Sequence, residues 1–247
     1  MANFPLIFRK SSDAEGRTRG AITTPLALKP GARRLVHIAA SLLLDYPGDG
    51  FDERVAAVAA SLDELPPEIA RDLREFLDHV ATTDREALKT EYVATFDLKR
   101  RCCLYLSYYA AGDTRRRGMA LVTFIEAYRA AGWEFDAEEL PDYLPAVLEF
   151  SARSDSPIAF ELLAAHREGL EVLREALEKQ RSPWVPLVRA VCRSLPELDA
   201  ATRERYLELV SQGPPAETVG LSFLGMPGAS AVEPYRPVGA AHEEVRA

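Results

Sequence analysis

Residues 32–51 read ARRLVHIAASLLLDYPGDGF. Paired arginines ahead of an apolar run look briefly like a twin-arginine export signal. The spacing decides otherwise. Leu35, Ile38, Ala39, Leu42, Leu43 and Tyr46 follow the i, i+3, i+4, i+7, i+8, i+11 pattern of one helix face. Asp45 interrupts the run without a small-residue cleavage site, and Pro47-Gly48 stops the helix. The segment therefore reads as a core helix of a protein that stays inside the cell.

The same signals recur outward from it. Asp52 is placed to cap a second helix to about Leu62. Pro66 and Pro67 suit the first turn of a third, which carries Ile69, Leu73, Phe76, Leu77 and Val80. Asp84 caps a fourth through Leu88, Tyr92 and Phe96, and RRCCLYLSYYAAGD forms a short helix closed near Gly112. Asp113 opens a long helix to about Ala131, with Gly132 as its stop. Ser156-Pro157 and Ser182-Pro183 each pair a cap with a first-turn proline, predicting helices to about Lys179 and Leu195; a last helix spans about Ala201 to Val210. No alternating β-branched run persists between turn signals, so the chain is expected to be all-α, with about ten helices in a single globular domain over 32–212. Residues 1–31 read as a flexible basic arm. After Gln212, ten of 35 residues are Pro or Gly, the composition of a disordered tail over 213–247.

The formal charge is −8. An acidic body argues against nucleic-acid binding and favours a basic or apolar partner. No run approaches the ~18–20 apolar residues of a membrane span, so no integral membrane segment is expected. Cys102, Cys103 and Cys192 lack C-x-x-C spacing, which points away from disulfides or a zinc cage and towards the cytoplasm.

Motifs of catalysis are missing: there is no Gly-rich phosphate loop, no H-E-x-x-H and no G-x-S-x-G. His166 falls in the stripe Leu163, His166, Leu170, Leu173, Leu177 and reads as a packed core histidine, and Cys192 as a small core residue. At most one of Cys102 and Cys103 faces the core, and Arg100 and Arg101 could lower a thiol pKa there. No catalytic residue, metal site or cofactor is assigned on these grounds.

Three stretches invite a functional reading. In ELPDYLPAVLEF, 139–150, Asp142 fits an N-cap with Tyr143 at the first helical position; the competing reading makes Asp97, Asp142 or Glu149 an acid or base in a small helical enzyme. In GDTRRRG, 112–118, Arg115, Arg116 and Arg117 crowd the positive end of a helix dipole, typically costing ~0.3–1 kcal/mol each. Pairing with Asp97 or Glu149 is the expected compensation, and binding of a cofactor phosphate the alternative. In LYLSYY, 104–109, Leu104, Tyr105, Leu106, Tyr108 and Tyr109 wrap a short helix almost completely in apolar and aromatic surface, which is either buried or turned to a partner. Six acids and no base lie between Glu134 and Glu149, either a solvated face or a receptor for a basic peptide.

Together SLLLDYPGDGF, EYVATFDLKRRCCLYLSYYAAGDTRRRGMALVTFIEAYRAAGWEF and ELPDYLPAVLEFSA closely resemble the NarJ-type chaperones of respiratory nitrate reductase, within the NarJ/TorD family. The match runs from about residue 34 to 154. The resemblance implies a TorD-like helical bundle that is no part of the mature enzyme. It implies binding to the N-terminal peptide of the apo catalytic subunit, which is held until molybdenum cofactor is inserted and the enzyme docks at the membrane. It also implies dealings with the machinery that delivers the cofactor. By similarity the peptide surface involves Leu104, Tyr105, Tyr108 and Tyr109, then Asp113, Thr114 and Arg115, then Pro141, Asp142, Tyr143 and Glu149. A chaperone of the same family for a different molybdoenzyme is the alternative. The arm before Ala32 and the doubled cysteine depart from the family pattern.

Overall fold

Prolines open several of the helices, as their fixed φ and missing N–H favour. The computed structural model describes residues 23–111, 115–136 and 139–197. Ten α-helices lie among them: α1 Pro30–Leu44, α2 Phe51–Ser61, α3 Pro67–Thr82, α4 Arg85–Tyr92 and α5 Leu106–Ala111, then α6 Arg115–Ala130, α7 Leu144–Arg153, α8 Pro157–Ala165, α9 Arg167–Lys179 and α10 Val185–Ser194. The all-α expectation holds among the described residues, where the one extended pairing is an isolated antiparallel bridge between Tyr105 and Tyr143. Asp113, Thr114, the helix expected over 201–210 and the tail lie outside them.

Several boundaries differ from the sequence reading for local reasons. Gly50, at φ 72°, turns the chain into α2, so Asp52 sits inside the first turn, where it pairs with Arg85. Asp84 does cap α4, accepting from the Glu86 N–H at 3.0 Å, and Ser156 caps α8. The stretch expected as one helix from Pro157 to Lys179 breaks at His166, whose backbone leaves the helical region. Ser182 accepts from Trp184 at 3.4 Å, but α10 starts only at Val185. RRCCLYLSYYAAGD is likewise divided: a 3-10 turn over Arg100–Cys102, extended residues to Tyr105, and α5 from Leu106. Gly132, at φ 78°, ends α6 as expected, with Trp133 N–H donating to the Tyr128 carbonyl at 2.9 Å.

The core forms where α1 packs on α7 and α10, and α10 on α3 and α9. Phe76, Trp184, Leu43, Leu73 and Leu187 are all at most 1% exposed; burying each contributes roughly 1.5–3 kcal/mol. Three polar groups inside it are fully engaged. His37 bridges Ser151 of α7 and Ser194 of α10 at 3.0 and 2.9 Å. Asp72 on α3 accepts from Arg189 and Arg193 of α10 at 2.9 and 2.8 Å. Arg167, 2% exposed, donates to the carbonyls of Thr23, Leu195 and Pro196.

That last cluster moves the boundary drawn at Ala32. Residues 23–29 already lie against the body: Thr23 bonds Glu171 through N–H and hydroxyl, Leu26 donates to the Arg193 carbonyl at 2.8 Å, and Leu26 and Leu28 pack on the core. Cys192 is buried as expected, and burial pushes its thiol far up. His166 packs on Phe124, 4.9 Å between centroids, and its Nδ1 meets the Leu162 carbonyl at 2.8 Å.

Candidate functional site

The LYLSYY and ELPDYLPAVLEF stretches are clipped together by backbone. Leu106 N–H donates to the Asp142 carbonyl at 3.0 Å, and Leu144 N–H to the Leu104 carbonyl at 2.7 Å. Asp142 stands at this crossing, fully buried. Its Oδ2 accepts from Ser107 N–H at 3.0 Å and from Ser107 Oγ at 2.5 Å. The aspartate is therefore a cap, but of α5, 35 residues away, and not of α7 as its sequence position suggests. Tyr143 takes the N-cap position of α7, and Pro145 in its first turn has no N–H to offer. Oδ1 of Asp142 has no hydrogen-bond partner among the described residues. Closed from solvent, this carboxyl is not placed to meet a substrate.

Tyr143 runs from the crossing towards α1 and α4. Its hydroxyl donates to Asp45 Oδ1 at 3.2 Å and stands 3.1 Å from that of Tyr92, which donates to the Leu44 carbonyl. Burial first, then Tyr92, raises its pKa strongly. Tyr105 lies outside it with ring centroids 5.7 Å apart, and donates to Glu139 Oε2 at 2.8 Å. Burial and the Glu139 carboxylate push Tyr105 up to about 12. Arg117 stacks over the Tyr105 ring at 5.4 Å and donates from Nε to Ser107 Oγ at 3.2 Å. Burial, then Glu139, also raises Asp97. Around these groups Leu98, Tyr46 and Leu140 are exposed by 75%, 43% and 39%. The result is an open aromatic ledge edged by Asp45, Asp97 and Glu139.

Not every expected residue joins it. Leu104 is buried beneath, and the Pro141 carbonyl accepts from Tyr128 at 3.1 Å. Tyr108 and Tyr109 face a different opening, against α9. Glu149 pairs with Arg153 at 2.5 Å on the surface of α7, and the side chains of Arg115 and Arg116 lie outside the described residues. Arg115 opens α6, while Asp113 and Thr114 are outside the described residues. Cys102 is buried and Cys103 half-buried, and burial raises both thiols, so the lowering that Arg100 and Arg101 could exert does not prevail. Asp45, Tyr46, Tyr92 and Glu139 were missed; the quoted DYPGDG and ELPDY stretches held two of these acids, but nothing local joins them to Tyr143 and Tyr105.

The sequence profile of the family described as nitrate reductase delta subunit matches residues 61–190. The chain belongs to that family. Among relatives of this delta-subunit family member, a Bacillus subtilis protein named "probable nitrate reductase molybdenum cofactor assembly chaperone NarJ" is 30% identical over 164 residues, 66% of this chain and 89% of that protein. NarJ of Escherichia coli K12 is 33% identical over 151 residues, 60% of this chain and 64% of its own. The nitrate reductase-like protein NarX of Mycobacterium tuberculosis is 36% identical over 155 residues, 63% of this chain; the chain spans 23% of NarX. A crystal structure from Archaeoglobus fulgidus, described as a redox enzyme maturation protein, superposes with TM-score 0.50 at 24% identity, covering 68% of this chain and 96% of its own, and supports the shared fold. The NarJ-type resemblance read from the sequence is thus supported by the family match.

Proposed function

We propose that this protein is an assembly chaperone for respiratory nitrate reductase. It binds the N-terminal peptide of the apo catalytic subunit in the cytoplasm and holds that subunit for molybdenum cofactor insertion and membrane docking. The NarJ relatives carry the assembly function in their names. The observation that carries the reading on this chain is the ledge of Tyr105, Tyr143 and Glu139, with Leu98 and Leu140 open beside it. An amphipathic basic peptide would lay apolar side chains on the rings while its cations meet Asp97 and Glu139.

Calorimetric titration with a peptide copying the catalytic subunit's N-terminus tests this. Saturable binding is expected, weakened at least tenfold by Tyr105→Ala and severalfold by Glu139→Gln, because a few buried anchors dominate such interfaces. Absence of saturation at tens of micromolar, equivalent to about −6 kcal/mol, would sink the reading. The corresponding peptide of another molybdoenzyme, titrated alongside, decides between the two clients.

A further inference from the structure

A second opening has the opposite sign. Where the 3-10 turn Arg100–Cys102 meets the end of α9, a groove of about 550 Å³ runs between α5 and α9. Val172 and Ala176, one turn apart on α9, face Tyr108 and Tyr109 across it. Val172 is 50% exposed. The wall is fixed: Tyr109 donates its hydroxyl to the Cys103 carbonyl at 2.8 Å, and Gly169 lets α9 approach so closely that an added Cβ would lie 2.9 Å from Tyr109 Cβ.

Cations gather at one end. Arg101 and Lys179 line the groove, Lys99 donates to Gln180, and Arg181 follows Gln180 in the chain. Lys179 is paired with Glu175 at 2.5 Å, and nearby Glu178 with the buried Arg174. Lys99, Arg101 and Arg181 have no carboxylate at ion-pair distance among the described residues. The dipole of α9 accounts for cations at its C-terminus, Lys179 and Arg181, but not for Lys99 and Arg101, which arrive on another segment. Arg181 also holds φ 52° in a turn that favours glycine. On a chain of charge −8 this is a local positive surplus beside an open apolar strip.

We propose that the α5–α9 groove docks an acidic segment of a partner polypeptide, with an apolar side chain along Val172, Ala176 and Tyr108 and its carboxylates at Arg101, Lys99 and Arg181. The strip follows α9 from Val172 to Lys179, roughly 10 Å at the helical rise, a length suited to a few residues of peptide. The proposal stands apart from the ledge, whose charge is opposite.

Amide chemical shifts of the full chain are recorded against a synthetic peptide repeating Glu-Glu-Leu-Phe, its Gln and Lys counterparts, and ATP. The acidic peptide is expected to move Arg101, Tyr108, Val172 and Lys179 saturably, less so as salt rises. The Gln counterpart should bind at least tenfold more weakly, and a Lys99→Glu, Arg101→Glu double variant should lose the response while its other amides stay in place. The proposal falls if the acidic peptide leaves those amides unmoved up to about 1 mM, moves them no more than the Gln peptide, or is outdone there by ATP. Movement of Tyr105 and Glu139 by the Lys peptide reports on the ledge separately, so either surface can fail alone.

Discussion

His37 makes the helical body acid-sensitive in a way that one substitution isolates. Ser194 Oγ donates to the Val191 carbonyl at 2.6 Å, so it accepts from His37 Nε2–H, and Nδ1 accepts from Ser151 Oγ. The neutral ring satisfies every partner; a second proton would face a donor in a site closed to water. Burial, and then the charge of Arg33, lowers the pKa from 6.5 to about 3. The unfolded chain therefore takes up a proton near pH 6.5, whereas the folded one resists until about pH 3. Stability rises with pH across that window and is lost as pH falls. From those two values this one residue removes about 2 kcal/mol between pH 7 and pH 5, and approaches 4 kcal/mol near pH 3.5. His37→Gln keeps a neutral hydrogen-bonding side chain without titrating. Urea unfolding of both proteins between pH 5 and 7 gives the difference curve. The variant is expected to be less stable at pH 7 but flatter with pH by about 2 kcal/mol over the range. His166, also lowered by burial, contributes equally to both and cancels. Parallel curves would refute the reasoning, since they would mean that the buried ring accepts a proton as readily as an exposed one.

Asp142→Asn keeps an acceptor for Ser107 but loses the charge that strengthens both bonds, so chemical denaturation should show a loss of about 1–2 kcal/mol, and Asp142→Ala a larger one; unchanged stability in both would remove the cross-chain cap. Gly169→Ala would gain up to about 1 kcal/mol of helix propensity on an exposed helix, yet should lower the melting temperature, because its methyl group meets Tyr109 at 2.9 Å. A rise would show that α5 and α9 can part at no cost. Arg167→Met strands the carbonyls of Thr23, Leu195 and Pro196, so hydrogen exchange at residues 23–28 should accelerate and stability should fall by about 2–4 kcal/mol; protection equal to the parent chain would mean that the Thr23–Glu171 bonds and the packing of Leu26 and Leu28 hold residues 23–28 without the guanidinium.

What could be read in the sequence is what local rules govern. The apolar stripe of α1, the Asp84 and Ser156 caps and the Gly132 stop are each set within a turn or two of chain. The stop at Arg181 uses the same hydrogen-bond pattern as that at Gly132, yet arginine gives no signal of it. His166 keeps its place in a leucine stripe, so the break between α8 and α9 is silent to periodicity. Asp142 shows the limit most clearly: a cap was legible, but its donors lie on another helix, and proximity in sequence pointed to the wrong one. The aromatic ledge was half visible for the same reason. Tyr105 and Tyr143 stood out, whereas Asp45, Tyr92 and Glu139 gain meaning only once α1, α4 and the 139–143 turn converge.

One guanidinium, that of Arg167, holds the backbone both at Thr23, ahead of the first described helix, and at Leu195 and Pro196, just past the last. Thr23 and Pro196, far apart in the chain, are thus neighbours among the described residues, and points of a domain that adjoin in this way are ones at which it can be joined to a longer polypeptide without being stretched. NarX, more than three-quarters of which lies beyond the stretch shared with this chain, shows that nature has kept this module in much larger company.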